Sequence, residues 1–134
     1  MTCTVAELHR PEDLLLGSLA SLAASGYTTL RTTDRSFHEH FARALDVFKD
    51  AGGTLGELAG RYYRDIVSNT YDELDHALIA AEQYRFVGFP NPSYNRLQIK
   101  MTPRAAQTVL HEWPAAEQEV FKRAAQALKQ SIEK

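Results

Sequence analysis

The sequence predicts a mainly α-helical protein with one small β-hairpin. Three observations predict this class. Apolar residues recur at helical spacing over most of the chain. Two Thr-x-x-Glu sequences have the pattern of helix capping boxes. The segment 96–101 alternates polar and apolar residues, as a half-buried strand does. A chain of 134 residues is long enough for one domain with its own hydrophobic core, so we expect a single domain over residues 1–134.

The N-terminal region, residues 11–52, is predicted to form two helices. The first begins at Pro11, which a first helical turn tolerates, and it ends at Gly26. Residues 27–33 form a Thr-rich connection that we expect to be extended. The second helix runs from about residue 33 to Gly52 and carries an apolar stripe at helical spacing. We interpret this stripe as core rather than as a ligand site; its residues are Phe37, Phe41, Ala44, Leu45 and Phe48.

Residues 54–101 are predicted to form two helices and a hairpin in direct succession. The first helix, 54–67, opens with Thr54 and Glu57, and the second, from residue 70 to about 84, opens with Thr70 and Glu73. The hairpin has arms at 85–89 and 96–101, joined by a segment rich in turn-forming residues. A helix pair followed directly by a hairpin is the layout of a winged helix, which mostly binds nucleic acid.

Residues 102–134 are predicted to form the C-terminal helices. Thr102 and Pro103 have the pattern of a helix cap and first turn, and Pro114 interrupts or restarts the helix. The apolar faces of the first and last helices are longer than the central unit can cover. We therefore expect the N- and C-terminal helices to be buried against a second subunit in a homodimer.

Two segments are similar to parts of a known family. Residues 53–59 (Gly-Thr-Leu-Gly-Glu-Leu-Ala) are similar to the start of that family's second helix, and residues 97–105 are similar to its second wing strand and the Thr-Pro helix start that follows. From Phe37 onward the chain resembles the MarR-type winged-helix regulators and, more loosely, the PadR-type ones. The resemblance implies a winged helix-turn-helix flanked by N- and C-terminal dimerisation helices, and a DNA-binding transcriptional regulator.

The resemblance also implies that double-stranded DNA and a small aromatic or phenolic ligand are partners. The ligand would lie in a crevice lined by Tyr27, Phe37, Phe41, Tyr62, Tyr63 and Trp113. Basic residues would contact phosphates along one rim, and polar residues at the start of the helix from residue 70 would face the bases. The predicted DNA-contacting residues are Arg61, Arg64, Ser68, Asn69, Thr70, Tyr71, Arg85, Asn95, Arg96 and Lys100.

An alternative function is left open by the acidic residues of the predicted recognition helix. Asp72, Glu73 and Asp75 stand where the family usually has Ser, Thr and Arg. Phosphates repel carboxylates, and the one favourable base contact for a carboxylate is cytosine N4. The formal net charge of -2 points the same way. The alternative is a protein-interaction module, such as an adaptor, an anti-repressor or a phage- or toxin-related binding protein, that does not bind DNA.

Other classes of site have little support in the sequence. His38 and His40 are two residues apart and do not share a helix face, so we expect them at the surface or an interface rather than on a metal ion. No cofactor motif or catalytic arrangement is defensible from spacing, and we predict no enzyme. The single cysteine, Cys3, excludes a disulfide within the chain. With no apolar run of membrane-spanning length and no signal-peptide pattern, we expect a cytoplasmic protein with no membrane partner.

Overall fold

The computed structural model describes residues 10–32, 34–63, 65, 71–83, 87–88 and 97–133. Within them the chain forms six helices and three short strands, which agrees with the predicted mainly helical class. The elements in chain order are α1 (Glu12–Ala24), β1 (Thr29–Leu30), α2 (Asp34–Ala51), α3 (Gly53–Ala59), α4 (Asp72–Gln83), β2 (Val87–Gly88), β3 (Leu97–Ile99), α5 (Pro103–His111) and α6 (Ala115–Glu133).

Helix α1 lies at the centre of the fold. From Leu14 to Ala23 every residue except Leu16 is buried, and α4, α5 and α6 all pack against the helix. A helix that is apolar on nearly all sides is stable only when other elements surround it. The hydroxyl of the buried Ser18 donates to the Leu14 carbonyl at 2.7 Å, so its polar group is satisfied inside the helix.

The aromatic stripe of α2 packs against α6, which confirms its interpretation as core. Phe37, Phe41 and Phe48 are fully buried. The ring centroids of Phe48 and Phe121 are 5.4 Å apart at an interplanar angle of 70°. On its other side Phe121 meets Trp113 at 5.1 Å and 67°. Edge-to-face contacts of this kind add to the stabilisation that burial of the rings provides.

The strands form a three-stranded antiparallel sheet in the order β1–β3–β2. Strand β2 pairs with β3, with Val87 opposite Ile99, so the two arms of the predicted hairpin do pair. Strand β1 pairs with the other edge of β3, with Leu30 opposite Leu97, and this is the segment for which the sequence predicts an extended connection. Leu97 and Ile99 are buried on the core side of β3. The predicted apex of the hairpin, residues 90–95, lies outside the described residues.

Two predicted helix caps can be compared with the structure. Helix α3 begins at Gly53 and Gly52 is its N-cap, with no side-chain cap hydrogen bond, so the prediction that Thr54 caps it is wrong. Gly52 and Gly53 have φ of 69° and 61°, which glycine adopts at little cost. These two residues with positive φ separate α2 from α3. The Thr102 hydroxyl accepts from the Ala105 N–H at 3.1 Å, which confirms the predicted cap of α5.

The prediction of a helix over residues 54–67 is too long, because α3 ends at Ala59. The N–H groups of Arg61 and Tyr62 bond to carbonyls three residues back, a tight last turn. Gly60 follows the helix directly and favours its end. The Tyr62 hydroxyl then donates to the Pro11 carbonyl, which ties this end of the chain segment to the start of α1.

The apolar faces of the first and last helices are covered within the chain. Helix α6 packs on both α1 and α2, and α1 is enclosed. Among the described residues the exposed large apolar side chains are Tyr63 and Ile79. The argument that these faces need a second subunit is therefore wrong, because it treats α1 as a peripheral helix, and the homodimer itself stays a prediction. Within the same residues, no helix combines the length and apolarity needed to cross a bilayer.

Gly17 of α1 is expected to be intolerant of any side chain. A Cβ atom built there would lie 2.3 Å from Cε1 of Phe121. Phe121 has little freedom to move away, because Phe48 and Trp113 hold its ring on both sides. Overpacking costs about 1–3 kcal/mol, and the better helix propensity of alanine returns about 0.5–1 kcal/mol. Because Phe121 is held in place, the overpacking cost should lie in the upper half of its range, and we expect Gly17→Ala to lower the free energy of unfolding by about 1–2.5 kcal/mol in urea titration.

The control for this prediction is a glycine substitution at a position where the added Cβ would not come close to any core atom. Gly60→Ala would place its Cβ 3.4 Å from the nearest atom, the Glu57 carbonyl oxygen, and should change stability by less than about 0.5 kcal/mol. A Gly17→Ala variant as stable as the parent protein would show that the α1–α6 contact is not as close as described.

Candidate functional site

Three of the ten predicted DNA-contacting residues lie in the described part of the chain: Arg61, Tyr71 and Lys100. The other seven lie outside it, and their predicted role stays a prediction; they are Arg64, Ser68, Asn69, Thr70, Arg85, Asn95 and Arg96.

Tyr71 is a core residue and not a free side chain at the helix tip. It is 7% exposed. Its ring meets Tyr62 edge-on at 6.2 Å and lies nearly parallel to His38 at 6.3 Å. A phenol held in this way between two rings has little surface left for a base edge. The assignment of Tyr71 as a DNA contact is therefore wrong, because the residue packs inward just before α4 begins.

His38 anchors the start of α4 to α2. Its side chain is 1% exposed within a single chain, which corrects the expectation that it lies at the surface or an interface. The Tyr71 backbone N–H donates to Nδ1 at 2.9 Å. Because Nδ1 accepts, the proton of the neutral ring is on Nε2, which donates to Asp75 Oδ1 at 2.9 Å. One imidazole thus satisfies a buried backbone donor and orients a carboxylate in the first turn of α4.

His40 has a different partner, as its spacing from His38 predicts. Its Nδ1 lies 2.7 Å from the Ser131 hydroxyl of α6. Burial lowers the pKa of His40, and the charge of Glu39 acts in the opposite direction. No group of three metal-ligating side chains occurs among the residues whose positions are described.

Arg61 and Lys100 are attached near opposite ends of α1. Arg61 precedes Tyr62, whose hydroxyl bonds to Pro11 at the start of that helix. Lys100 follows Ile99, whose N–H bonds to Thr28 just beyond the end of the helix. The 13 residues of α1 separate these ends by about 20 Å. Arg61 also lies 3.8 Å from Glu57. The structure does not bring these two cations together on one rim.

The six aromatic residues predicted to line a ligand crevice do not line one cavity. Phe37 and Phe41 are fully buried and stack at 5.8 Å, and Tyr62 and Trp113 are also buried. Tyr63 is 71% exposed. Tyr27 lies beyond the other end of α1 and lines two cavities there. Most of the set are core residues whose partners are other side chains of this chain.

Acidic side chains occupy the first turns of both α1 and α4, and we call them together the acidic surface. We define it as Glu12, Asp13, Asp72, Glu73 and Asp75. Three of these residues are the acids of the first turn of α4, and two are the acids of the first turn of α1. Glu73 accepts from the Tyr63 N–H at 3.4 Å. Burial raises the pKa of the Tyr62 hydroxyl, and the charges of Glu12, Asp13 and Glu73 raise it further. These three carboxylates therefore all lie within electrostatic range of that hydroxyl.

A groove of about 340 Å³ lies beside this surface, between α1 and α4. We call it the α1–α4 groove. Its apolar lining is Leu15, Leu16, Ala77, Ala80 and Ala81. Its polar lining is Arg10, Glu12, Asp13, His76 and Gln83. Glu12 Oε2 is buried and has no hydrogen-bond partner within the described residues. A buried carboxylate oxygen without a partner is uncommon and calls for a functional explanation.

The opposite end of α1 carries a basic cluster around Tyr27. Lys129 lies 3.9 Å from the centroid of the Tyr27 ring, donates to its hydroxyl, and is 3.6 Å from Glu133. The hydrogen bond to Tyr27 is the main cause of a raised pKa of Lys129. Arg31 and Lys122 line the cavities on either side, of about 370 and 400 Å³. Carboxylates therefore occupy the first turn of α1, whereas Lys129, Arg31 and Lys122 lie beyond its other end.

Comparison with protein-family models, with curated proteins and with solved structures finds no match. The candidate site therefore depends on the geometry of this chain alone.

Two features of the site are absent from the sequence interpretation. The position of His38 has a signal, because it is three residues before Phe41 and seven before Leu45 and so continues the inward face of α2. The α1–α4 groove has no such signal. Its two walls are about 60 residues apart along the chain, and their contact follows from tertiary packing.

Proposed function

We propose that this protein is a protein-interaction module that uses its acidic surface to bind a basic partner. The observation that carries the proposal is the acidic first turn of α4, formed by Asp72, Glu73 and Asp75. Glu12 and Asp13 of α1 add to it, because their charges and that of Glu73 all act on the Tyr62 hydroxyl. Asp72 is exposed and Asp75 is 44% exposed, so both are accessible to a partner. Cations on a partner are attracted to such a surface, and the phosphates of DNA are repelled by it.

A DNA-binding transcriptional regulator of winged-helix type is the second candidate. The pairing of β2 with β3 after α4 favours it, because a hairpin follows the predicted recognition helix as the family resemblance implies. Homodimerisation and a small aromatic ligand belong to this candidate. Two observations weigh against it: acids occupy the start of α4, and Arg61 and Lys100 lie near opposite ends of α1.

Removal of two charges from the acidic surface is expected to weaken binding to a basic polypeptide. The variant is Asp72→Asn with Glu73→Gln, and the probe is an arginine-rich peptide measured by calorimetry at low salt. Each exposed charge pair contributes about 0.2–1 kcal/mol, so the affinity should fall about 2- to 30-fold. Binding should also weaken as salt is raised, because exposed charges are screened.

The matched control removes the same net charge elsewhere. Glu112 and Glu119 are exposed acids outside the acidic surface, and the variant Glu112→Gln with Glu119→Gln should bind almost as the parent protein does. Equal losses in both variants would mean that only net charge matters and would reject the site. The second candidate is tested on the same preparation by a gel shift: a shift of duplex DNA at low salt would favour the regulator.

A further inference from the structure

We propose that the open edge of strand β1 is a docking site for an extended, acidic peptide segment of a partner, which adds to the sheet as a further strand. The site is separate from the acidic surface, because β1 follows the other end of α1. The proposal therefore does not depend on the proposed function.

The pairing of β1 leaves its outer edge open. In the order β1–β3–β2, no strand of the described residues lies on the other side of β1. The Ile99 N–H donates to the Thr28 carbonyl at 2.8 Å, so these two residues form a hydrogen-bonded pair. Such pairs alternate with non-hydrogen-bonded pairs in an antiparallel ladder, and the next pair is Thr29 with Gln98. The N–H and the carbonyl of Thr29 therefore point away from β3.

These two backbone groups of Thr29 are available to a partner. Thr29 is exposed, and neither group bonds to another residue in the described part of the chain. An outward N–H and carbonyl on a strand edge form the template by which an extended peptide joins a sheet. A peptide residue opposite Thr29 would accept from its N–H and donate to its carbonyl.

A cleft of about 370 Å³ lies along this edge. Residues 27 and 29–31 contribute to its lining, and so do Lys129, Ile132 and Glu133 of α6. The volume is within the range that is usual for ligand pockets. Leu30 and Ile132 are the aliphatic residues of the lining, so an apolar side chain of the added segment has a surface to pack on. The edge is thus bordered by space that a short extended segment can enter.

The charge around the cleft favours an acidic segment. Lys129 lies 3.6 Å from Glu133, so these two charges largely offset each other. Arg31 is exposed and has no ion pair within the described residues. Lys122 adds a cation in the adjoining cavity, which shares Tyr27, Lys129 and Glu133 with the cleft. A carboxylate on the partner is therefore attracted to this edge, and a cation is repelled.

The test is an NMR titration of the isotope-labelled full chain with the peptide acetyl-Glu-Val-Glu-Val-Glu-amide. We expect saturable shifts of the amide signals of residues 29–31 and slower solvent exchange of the Thr29 amide proton, because a peptide carbonyl accepts from it. The same peptide N-methylated at its central residues keeps the charges but lacks the donors. It should bind at least about fivefold more weakly.

Three variants make the test specific. Thr29→Pro removes the outward N–H and keeps the β1–β3 bonds, because proline is tolerated on strand edges, and it should weaken the acidic peptide at least about fivefold. Arg31→Gln should weaken it about 1.5- to 5-fold, whereas Arg123→Gln on the exposed face of α6 should not change the affinity. If Thr29→Pro proves poorly folded, the N-methylated peptide tests the same hydrogen bonding on the parent protein.

Four results would overturn the proposal: no saturable binding, binding without protection of the Thr29 amide, equal binding of the N-methylated peptide, or an unchanged affinity of Arg31→Gln. A free chain whose dimer is lost in Thr29→Pro would assign the edge to a second copy and would also overturn it. The variant Asp72→Asn with Glu73→Gln should bind the acidic peptide as the parent protein does. Failure of the proposed function is therefore distinguishable from failure of this inference.

Discussion

Replacement of Phe121 by alanine is expected to lower the free energy of unfolding by about 3–5 kcal/mol, the range for loss of a fully buried phenylalanine. Phe121 has no exposed surface and lies where α1, α2 and the segment before α6 meet. Its ring contacts Phe48 and Trp113 edge-on and fills the space above Gly17. Three rigid neighbours leave little scope for collapse of the cavity, so the upper part of the range is expected.

Chemical denaturation monitored by far-UV circular dichroism measures this change. Phe121→Leu, which leaves a smaller cavity, should lose less than Phe121→Ala. Arg123→Ala on the exposed face of α6 should stay within about 0.5 kcal/mol of the parent protein. A loss below about 1 kcal/mol for Phe121→Ala would show that α6 does not pack on the centre of the fold as described.

Replacement of His38 by alanine is expected to cost about 2–4 kcal/mol. The change removes the Nδ1 acceptor of the buried Tyr71 N–H, and loss of such a bond costs about 1–3 kcal/mol. It also removes an imidazole that is 1% exposed and packed beside the Tyr71 ring, so a cavity adds to the loss. The effect should be centred on α4, and hydrogen exchange of its first turn should increase more than that of α6.

Two neighbouring variants separate the parts of this network. Asp75→Asn keeps an oxygen that can accept from Nε2–H, so its effect on stability should be below about 1 kcal/mol. Glu39→Ala changes an exposed residue adjacent to His38 and should be nearly neutral. An Asp75→Asn loss as large as that of His38→Ala would mean that the charge of Asp75, rather than the bond to Tyr71, holds α4 in place.

The helical elements are largely predictable from local patterns. The stripe from Phe37 to Phe48, the cap at Thr102 and the alternation of β3 each follow from neighbouring residues, and the structure contains all three. The early end of α3 is less predictable. Leu55 and Leu58 continue the helical pattern, but Gly60 and the long-range bond from Tyr62 to Pro11 stop the helix.

The site itself depends on contacts that periodicity does not reveal. A tyrosine at the start of a helix has the same sequence signature whether it faces solvent or, like Tyr71, packs on a histidine 33 residues away. The apolar surface of α1 likewise fits a dimer interface and a central helix equally well. Which of these applies depends on whether α4, α5 and α6 return to cover it, and that is a property of the whole topology.

The central position of α1 has a consequence for synthesis of the chain. Helix α1 is synthesised well before two of the helices that cover it, because α5 and α6 end at residues 111 and 133. Its leucines therefore stay exposed to chaperones, or to other nascent chains, until α5 and α6 have been translated. Loss of α6 through a premature stop codon would leave an aggregation-prone, protease-sensitive product rather than a smaller working protein.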